Sequence, residues 1–162
     1  MLANVKDELN RFAKYVISQS RANLTRGKKN SSKDLYNSLD SEVKVSKNSF
    51  ELSFLMEEYG VFQDKGVSGV KKKYSTPYAY TTKMPPPSKM DKWIVKKGIA
   101  PRDKNGKFIS RKSLQFMIAR SIFNNGIKPS LFFTKPFEKA FKGLNKDLVK
   151  AYKLDVEQLM KN

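Results

Sequence analysis

Apolar residues recur every three or four positions at both ends of the chain, and this spacing constrains the fold more than any other feature. The first set is Leu2, Val5, Leu9, Phe12, Val16 and Ile17. The second set is Phe137, Phe141, Leu144, Leu148, Tyr152, Val156 and Leu159. Such a period places apolar side chains on one face of an α-helix. We expect a first helix that ends near Arg26, and a long last helix that opens at Pro136 and continues through Gly143.

A β-hairpin is predicted after the first helix. Residues 33–39 have the pattern of a short helix, and the apolar period then changes from four to two. Val43 and Val45 alternate with polar residues, residues 46–49 offer turn chemistry, and alternation resumes at Phe50. This is the pattern of two strands with one buried face. Residues 57–65 then predict a short helix with acidic residues in its first turn.

A basic, loop-rich insertion is predicted at residues 66–112, within a single domain that covers residues 1–162. Up to Pro87 this stretch has neither hydrophobic period. Further on, Asn105 and Gly106 form an Asn-Gly pair, which is typical of a tight turn.

Two helices are predicted in and after this insertion. Ser88 and Asp91 have the spacing of a capping box and predict a short helix. From Ser110 a second helix carries apolar residues on most of its sides, which predicts burial. The fold class is therefore α+β, with a small hairpin-based antiparallel sheet flanked by long N-terminal and C-terminal helices.

The chain is strongly basic. It has 33 Lys and Arg against 15 Asp and Glu, a formal net charge of +18. A charge of this size destabilises an isolated compact chain and favours a polyanionic partner. The alternative is a Lys-rich proteome, in which the same composition reflects codon usage.

Cysteine and histidine are both absent. The chain therefore has no thiolate nucleophile, no Cys-based zinc site and no imidazole base, so most hydrolase mechanisms are closed to it. We expect a protein that is not an enzyme and has no cofactor. No apolar stretch approaches the roughly 20 residues that span a bilayer, so we also expect a soluble protein, made in the cytoplasm, with no membrane partner.

Asp40, Glu42 and Lys44 match part of the carboxylate and lysine pattern of metal-dependent nucleases. The competing interpretation is an ordinary exposed face of an amphipathic strand. We favour the second interpretation, because Asp40 lies only two residues before Glu42, where an independent strand should supply the first acid.

A cationic and aromatic stretch follows the predicted helix at residues 57–65. Lys71, Lys72 and Lys73 lie next to Tyr74, and Tyr78 and Tyr80 follow. Such a stretch could track a nucleic-acid backbone, or its tyrosines could pack on a neighbouring subunit. Trp93 has two similar interpretations, as an interface anchor or as a core residue.

Several segments resemble one family of viral proteins. The order of a long helix, residues 33–39, a hairpin and residues 58–66 is similar to neck and tail-completion (head–tail connector) proteins of tailed bacteriophages. Residues 118–127, with residues 132–137, resemble the closing segment of that family. Residues 68–112 are longer than the compact members need.

This resemblance implies a structural virion protein that forms a homo-oligomeric ring at the head–tail junction. Its partners would be other neck, portal or tail proteins and double-stranded DNA, held by non-specific charge contacts in the passage. It would lie in the virion, and in the host cytoplasm during assembly. We expect DNA to be faced by the cations in those segments that least show the pattern of a core face. These cations are Lys71, Lys72, Lys73, Lys96, Lys97, Arg102, Lys104 and Lys107. The subunit-interface candidates are Tyr74, Tyr78, Tyr80 and Trp93.

Two other functions stay open. A sequence-independent DNA-binding protein would share the salt-dependent binding but not the ring. A metal-dependent nuclease would depend on Asp40, Glu42 and Lys44.

Overall fold

The computed structural model describes residues 2–30, 32–47 and 49–161. The described helices are α1 (Ala3–Arg26), α2 (Asp34–Ser38), α3 (Tyr59–Lys65), α4 (Asp91–Lys96), α5 (Arg111–Asn125) and α6 (Thr134–Lys161). The strands are β1 (Asp40–Val45) and β2 (Phe50–Leu55), and a 3₁₀ helix covers Pro87–Met90. The predicted α+β class, with a small antiparallel hairpin flanked by long helices, is confirmed.

The chain divides into two compact units. Unit 1 comprises Met1–Gly60 and Leu131–Asn162, and unit 2 comprises Val61–Ser130. Unit 1 therefore contains α1, α2, the hairpin and α6, whereas unit 2 contains α4 and α5. The expected insertion at residues 66–112 lies inside unit 2.

Unit 1 is built on the packing of α1 against α6. Asn4 near the start of α1 donates hydrogen bonds to Asp155 of α6, and Asn23 near the end of α1 donates to the Phe132 carbonyl just before α6. The two helices are therefore antiparallel. The apolar face of α1 packs with Phe137, Leu144 and Leu148 of α6 and with the inner face of the hairpin, where the Phe12 ring lies 5.7 Å from the Phe137 ring.

The predicted apolar face of α6 was wrong in part. Phe141, Tyr152 and Leu159 belong to that face by their spacing, but they are 49%, 53% and 59% exposed.

The N-terminus of α1 is stabilised by a residue from the other end of the chain. The first turn of α1 contains no acidic residue. The buried carboxylate of Asp155 accepts hydrogen bonds there from the backbone N–H groups of Asn4 and Val5 and from the Asn4 side chain. Burial raises the pKa of Asp155, whereas these hydrogen bonds lower it. The net result is a pKa below the ordinary value.

The hairpin has an inner and an outer face. Its register pairs Val43 with Leu52 on the inner face, and both pack in the core of unit 1. The outer face carries the pairs Asp40–Leu55, Glu42–Ser53 and Lys44–Glu51. In the connecting turn, the Ser46 N–H donates to the Ser49 carbonyl at 2.9 Å, and the predicted turn residue Asn48 lies outside the described residues.

Unit 2 depends on close backbone contacts more than on a large core. Val67 exchanges backbone hydrogen bonds of 2.9 and 2.8 Å with Ile127, and Ser68 forms two of 2.8 Å with the chain at Tyr78 and Tyr80. Gly126 has a φ of +70°, and a Cβ there would overlap the Val67 carbonyl oxygen. No helix or strand is assigned between α3 and Pro87. The first part of this stretch, residues 67–80, is nevertheless fixed by backbone hydrogen bonds.

Most predicted helix boundaries are close to the observed ones, and three details were wrong. Helix α3 begins at Tyr59, so Glu57 and Glu58 precede it. The residues directly before α4 form the 3₁₀ helix, and Ser88 lies inside it, so Ser88 is not the N-cap of α4. Helix α6 begins at Thr134, two residues before Pro136, and it continues through Gly143 as predicted.

The prediction that the helix from Ser110 is buried was also wrong. Ser110 does cap α5, since its side chain accepts a hydrogen bond from the Ser113 N–H. Among the residues of α5 only Leu114 and Ala119 are buried, and Phe116 and Met117 are 49% and 44% exposed. An apolar side chain remains exposed when no element packs over it, and the sequence of a helix does not reveal what packs over it.

Candidate nucleic-acid interface

The positive charge of the chain is concentrated in unit 2. Residues 61–130 contain 16 of the 33 Lys and Arg but only three of the 15 Asp and Glu, a formal net charge of +13. The remaining 17 basic and 12 acidic residues give unit 1 a net charge of +5. The larger part of the charge therefore lies on the smaller unit.

The three carboxylates of unit 2 lie in different surroundings. Asp64 is buried, with 4% exposure. Asp91 accepts a 2.6 Å hydrogen bond from the Gln115 amide and lies 3.7 Å from the Arg111 guanidinium. Asp103 accepts hydrogen bonds from the backbone N–H groups of Asn105 and Lys107, at 2.8 and 2.9 Å. The net charge of +13 already includes these three carboxylates.

All eight cations predicted to face DNA lie in unit 2, and all are exposed. Lys71, Lys72 and Lys73 follow the Val67–Ile127 pairing. The backbone N–H groups of Lys71 and Lys72 both donate to the Asn124 carbonyl, at 2.9 and 3.1 Å. These two lysines therefore extend from an anchored piece of backbone.

Arg102, Lys104 and Lys107 lie on a tight turn. Gly106 has a φ of +79°, and Arg102 pairs with Phe108 across the turn, as the Asn-Gly pair predicts. The Arg102 guanidinium lies 3.7 Å from the centre of the Phe108 ring and donates to the Gly106 carbonyl at 2.7 Å. Arg102 therefore stabilises the turn, and the exposed Lys104 and Lys107 extend from it.

The predicted interface tyrosines have partners within unit 2. The Tyr78 ring packs edge-on against Phe62 at 4.7 Å, and the Tyr80 ring lies 6.2 Å from Phe123. Burial raises the pKa of Tyr80. The Tyr74 ring lies 5.6 Å from the Lys72 ammonium group. Trp93 is 42% exposed, so it is not a core residue within the described structure, and its role at an interface stays a prediction.

Sequence reasoning missed further exposed cations of the same unit. They are Lys65, Lys83, Lys89, Lys92, Arg111, Lys112, Arg120 and Lys128. Among them, Arg111 forms an ion pair with Asp91. The depletion of acidic residues over residues 61–130 is a signal that would have found them, whereas the prediction singled out only some of the cations within residues 66–112.

Asp40, Glu42 and Lys44 are exposed on the outer face of the hairpin. Lys44 lies 3.7 Å from Glu42, and these side chains are 60% and 55% exposed. Among the described residues, no group of three or more His, Cys, Asp or Glu side chains could hold a metal ion.

A hollow of about 860 Å³ in unit 1 is bordered by Lys14, Arg21 and Arg26. Arg21 donates hydrogen bonds to the carbonyls of Tyr36 and Leu39, and its guanidinium lies 5.2 Å from the Tyr36 ring. Arg21 therefore fastens α1 to the segment around α2, which is a structural role.

Within residues 2–30, 32–47 and 49–161, no helix has both the length and the apolar character needed to cross a membrane. No protein-family model, curated protein or solved structure matches this chain.

Proposed function

We propose that this chain is a structural virion protein of the neck or tail-completion type, which forms a ring at the head–tail junction with a passage for DNA. In this proposal the eight predicted cations of unit 2, from Lys71 to Lys107, contact the phosphate backbone. The observation that carries the proposal is the segregation of charge, with +13 on the 70 residues of unit 2. Its further support is the resemblance to neck and tail-completion proteins and an α+β fold of the kind that the resemblance implies.

The mechanism is electrostatic and geometric. Duplex DNA carries one phosphate charge per roughly 1.7 Å of its axis, and cations that approach it release condensed counterions. A ring multiplies the cations of each unit 2 by the number of copies. Lysines on anchored backbone, such as Lys71 and Lys72, keep their charges at the passage without base contacts, so the binding is independent of sequence and DNA can move through.

Binding of duplex DNA by the purified full-length chain tests the role of unit 2. The variant replaces the eight predicted cations by glutamine. The matched control replaces eight exposed cations of unit 1: Lys6, Lys14, Arg26, Lys139, Lys142, Lys146, Lys150 and Lys153. We expect the unit 2 variant to weaken binding and to flatten the dependence of log K on log salt by about 0.9 for each phosphate that the variant no longer neutralises. Equal effects of both variants would contradict the assignment.

The size of the protein in solution separates the proposal from the DNA-binding alternative. Light scattering at several protein concentrations should show a closed oligomer, whereas a DNA-binding protein of the alternative kind stays monomeric or dimeric. Incubation of plasmid DNA with Mg²⁺ should leave the DNA intact, and cleavage that the change Glu42→Gln abolishes would favour a nuclease.

A further inference from the structure

The exposed face of α5 has the composition of a protein interface. It presents Lys112, Ser113, Phe116, Met117 and Arg120, which lie three and four positions apart along the helix. Phosphate binding requires cations and hydrogen-bond donors, and it makes no use of large apolar side chains. Aromatic residues, methionine and arginine are instead enriched at protein interfaces. This face is therefore better suited to a protein than to DNA.

The partner of this face must tolerate or offset positive charge. Helix α5 contains no Asp or Glu, and it lies in the unit whose net charge is +13. A matching surface needs carboxylates around an exposed apolar residue, because burial of Phe116 and Met117 brings Lys112 and Arg120 close to the partner.

The outer face of the hairpin has this composition. Asp40, Glu42 and Glu51 are exposed there beside a single lysine, Lys44, and Leu55 on the same face is 49% exposed. Residues 34–58, which include the hairpin, contain six Asp and Glu against two Lys, a net charge of −4 in a chain of +18.

We infer that the exposed face of α5 binds the outer face of the hairpin of a second copy of this chain. The inference rests on the proposed ring and names the contact that joins neighbouring copies. Two chains of +18 repel each other, so association is favoured where the most acidic stretch of one meets cations of the other. Lys112 and Arg120 then face carboxylates, while Phe116 and Met117 bury apolar surface against Leu55.

The contact is heterologous. Each copy uses its hairpin towards one neighbour and its α5 towards the other, and such a contact forms a ring when the rotation between copies closes. The cations assigned to DNA, from Lys71 to Lys107, are not part of this contact.

Charge exchange in the full-length chain tests the pairing. The hairpin variant carries Glu42→Lys and Glu51→Lys, and the helix variant carries Lys112→Glu and Arg120→Glu. Two controls make equal charge changes on α6: Glu138→Lys with Glu157→Lys, and Lys139→Glu with Lys146→Glu. Self-association is measured by analytical ultracentrifugation at one ionic strength.

We expect each interface variant to weaken self-association at least about tenfold, because like charges then face each other. The controls should change it less than about threefold. A chain with all four interface changes, or an equimolar mixture of the two interface variants, should recover association, because opposite charges again face each other.

A variant without a charge change completes the test. Phe116→Ala should weaken association with an unchanged melting temperature, because Phe116 is 49% exposed. If the wild type associates and the interface variants behave like their controls, the pairing is wrong and the ring proposal stands. If the wild type is monomeric at every concentration, the ring proposal fails and this contact fails with it.

Discussion

The two units of this chain differ in how much apolar surface they bury and in how much charge they carry. Of the 16 buried hydrophobic residues in the described structure, 12 lie in unit 1 and four in unit 2. Unit 1 has a net charge of +5 over 92 residues, whereas unit 2 has +13 over 70. Unit 1 is thus stabilised mainly by apolar burial, and unit 2 by backbone hydrogen bonds, tight glycine contacts and a small core. A unit with little core and much charge gains most from a partner that offsets the charge.

The largest expected effect is on the core of unit 1. Phe132 is 1% exposed and packs in the cluster with Leu24 and Leu35, so Phe132→Ala should lower the free energy of unfolding by about 3–5 kcal/mol. Phe116→Ala in unit 2 is the matched control and should change it by less than about 0.5 kcal/mol. Urea unfolding monitored by circular dichroism measures both. Similar decreases for the two variants would show that burial of the side chain does not set the size of the effect.

The next effect concerns the backbone contacts of unit 2. Gly126→Ala forces an alanine into a positive φ and drives its Cβ into the Val67 carbonyl, so we expect the free energy of unfolding to fall by about 2–4 kcal/mol. Gly106→Ala is the control, because Gly106 also has a positive φ but no atom lies within 4 Å of the added Cβ. Amide hydrogen exchange should show reduced protection in residues 61–130 for Gly126→Ala only. Equal effects of the two changes would mean that the loss of stability comes from the strained φ and not from the close packing around Gly126.

Asp155 tests how much unit 1 depends on one polar contact. Asp155→Asn should lower the free energy of unfolding at pH 7 by about 1.5–3 kcal/mol, because an amide group would turn an N–H donor towards the N–H groups of Asn4 or Val5. Asp147→Asn, at an exposed position of the same helix, should have little effect.

The contribution of Asp155 should also depend on pH. Its native pKa lies below the ordinary value of 3.8, so the stabilisation is fully present above the unfolded pKa and is lost as the pH falls through the native pKa. The difference between wild type and Asp155→Asn should therefore shrink in acid. A difference that is constant from neutral pH to acid would show that the charge of Asp155 does not contribute.

The smallest expected effect is that of salt on the free protein. Raising the ionic strength from about 20 to about 200 mM screens the repulsion among the cations of unit 2 and should stabilise its protected amides by less than about 1 kcal/mol. The N–H groups of Ser68, Tyr80 and Ile127 report on unit 2, and those in the middle of α1 report on unit 1. An equal response of both sets would show that the charge segregation has no energetic consequence.

Much of the fold was predictable because its signals are local. The period of four in α1 and α6 and the period of two in the hairpin both act on neighbouring residues. The boundaries of α3 and α6 were displaced by two residues, since the first turn of a helix forms wherever its backbone groups find partners.

The candidate site was predictable only in part. The eight cations were identified as residues outside the core faces, and their exposure agrees with that reasoning. The basic surface beyond residue 112 was missed, because unit 2 continues to Ser130. The role of Arg102 in its own turn was also missed, since a contact with Phe108 depends on the geometry of the turn.

The sequence by itself determined the helical and extended segments, the excess of positive charge and the absence of thiol and imidazole chemistry. Only the tertiary structure decided that Asp155 stabilises the start of α1, 151 residues away from Asn4. It also decided that Gly69 and Gly126 meet, and that Phe116 and Met117 stay exposed. Periodicity and charge are properties of adjacent residues, whereas a contact or a burial depends on which distant segment packs there, and no local pattern records that choice.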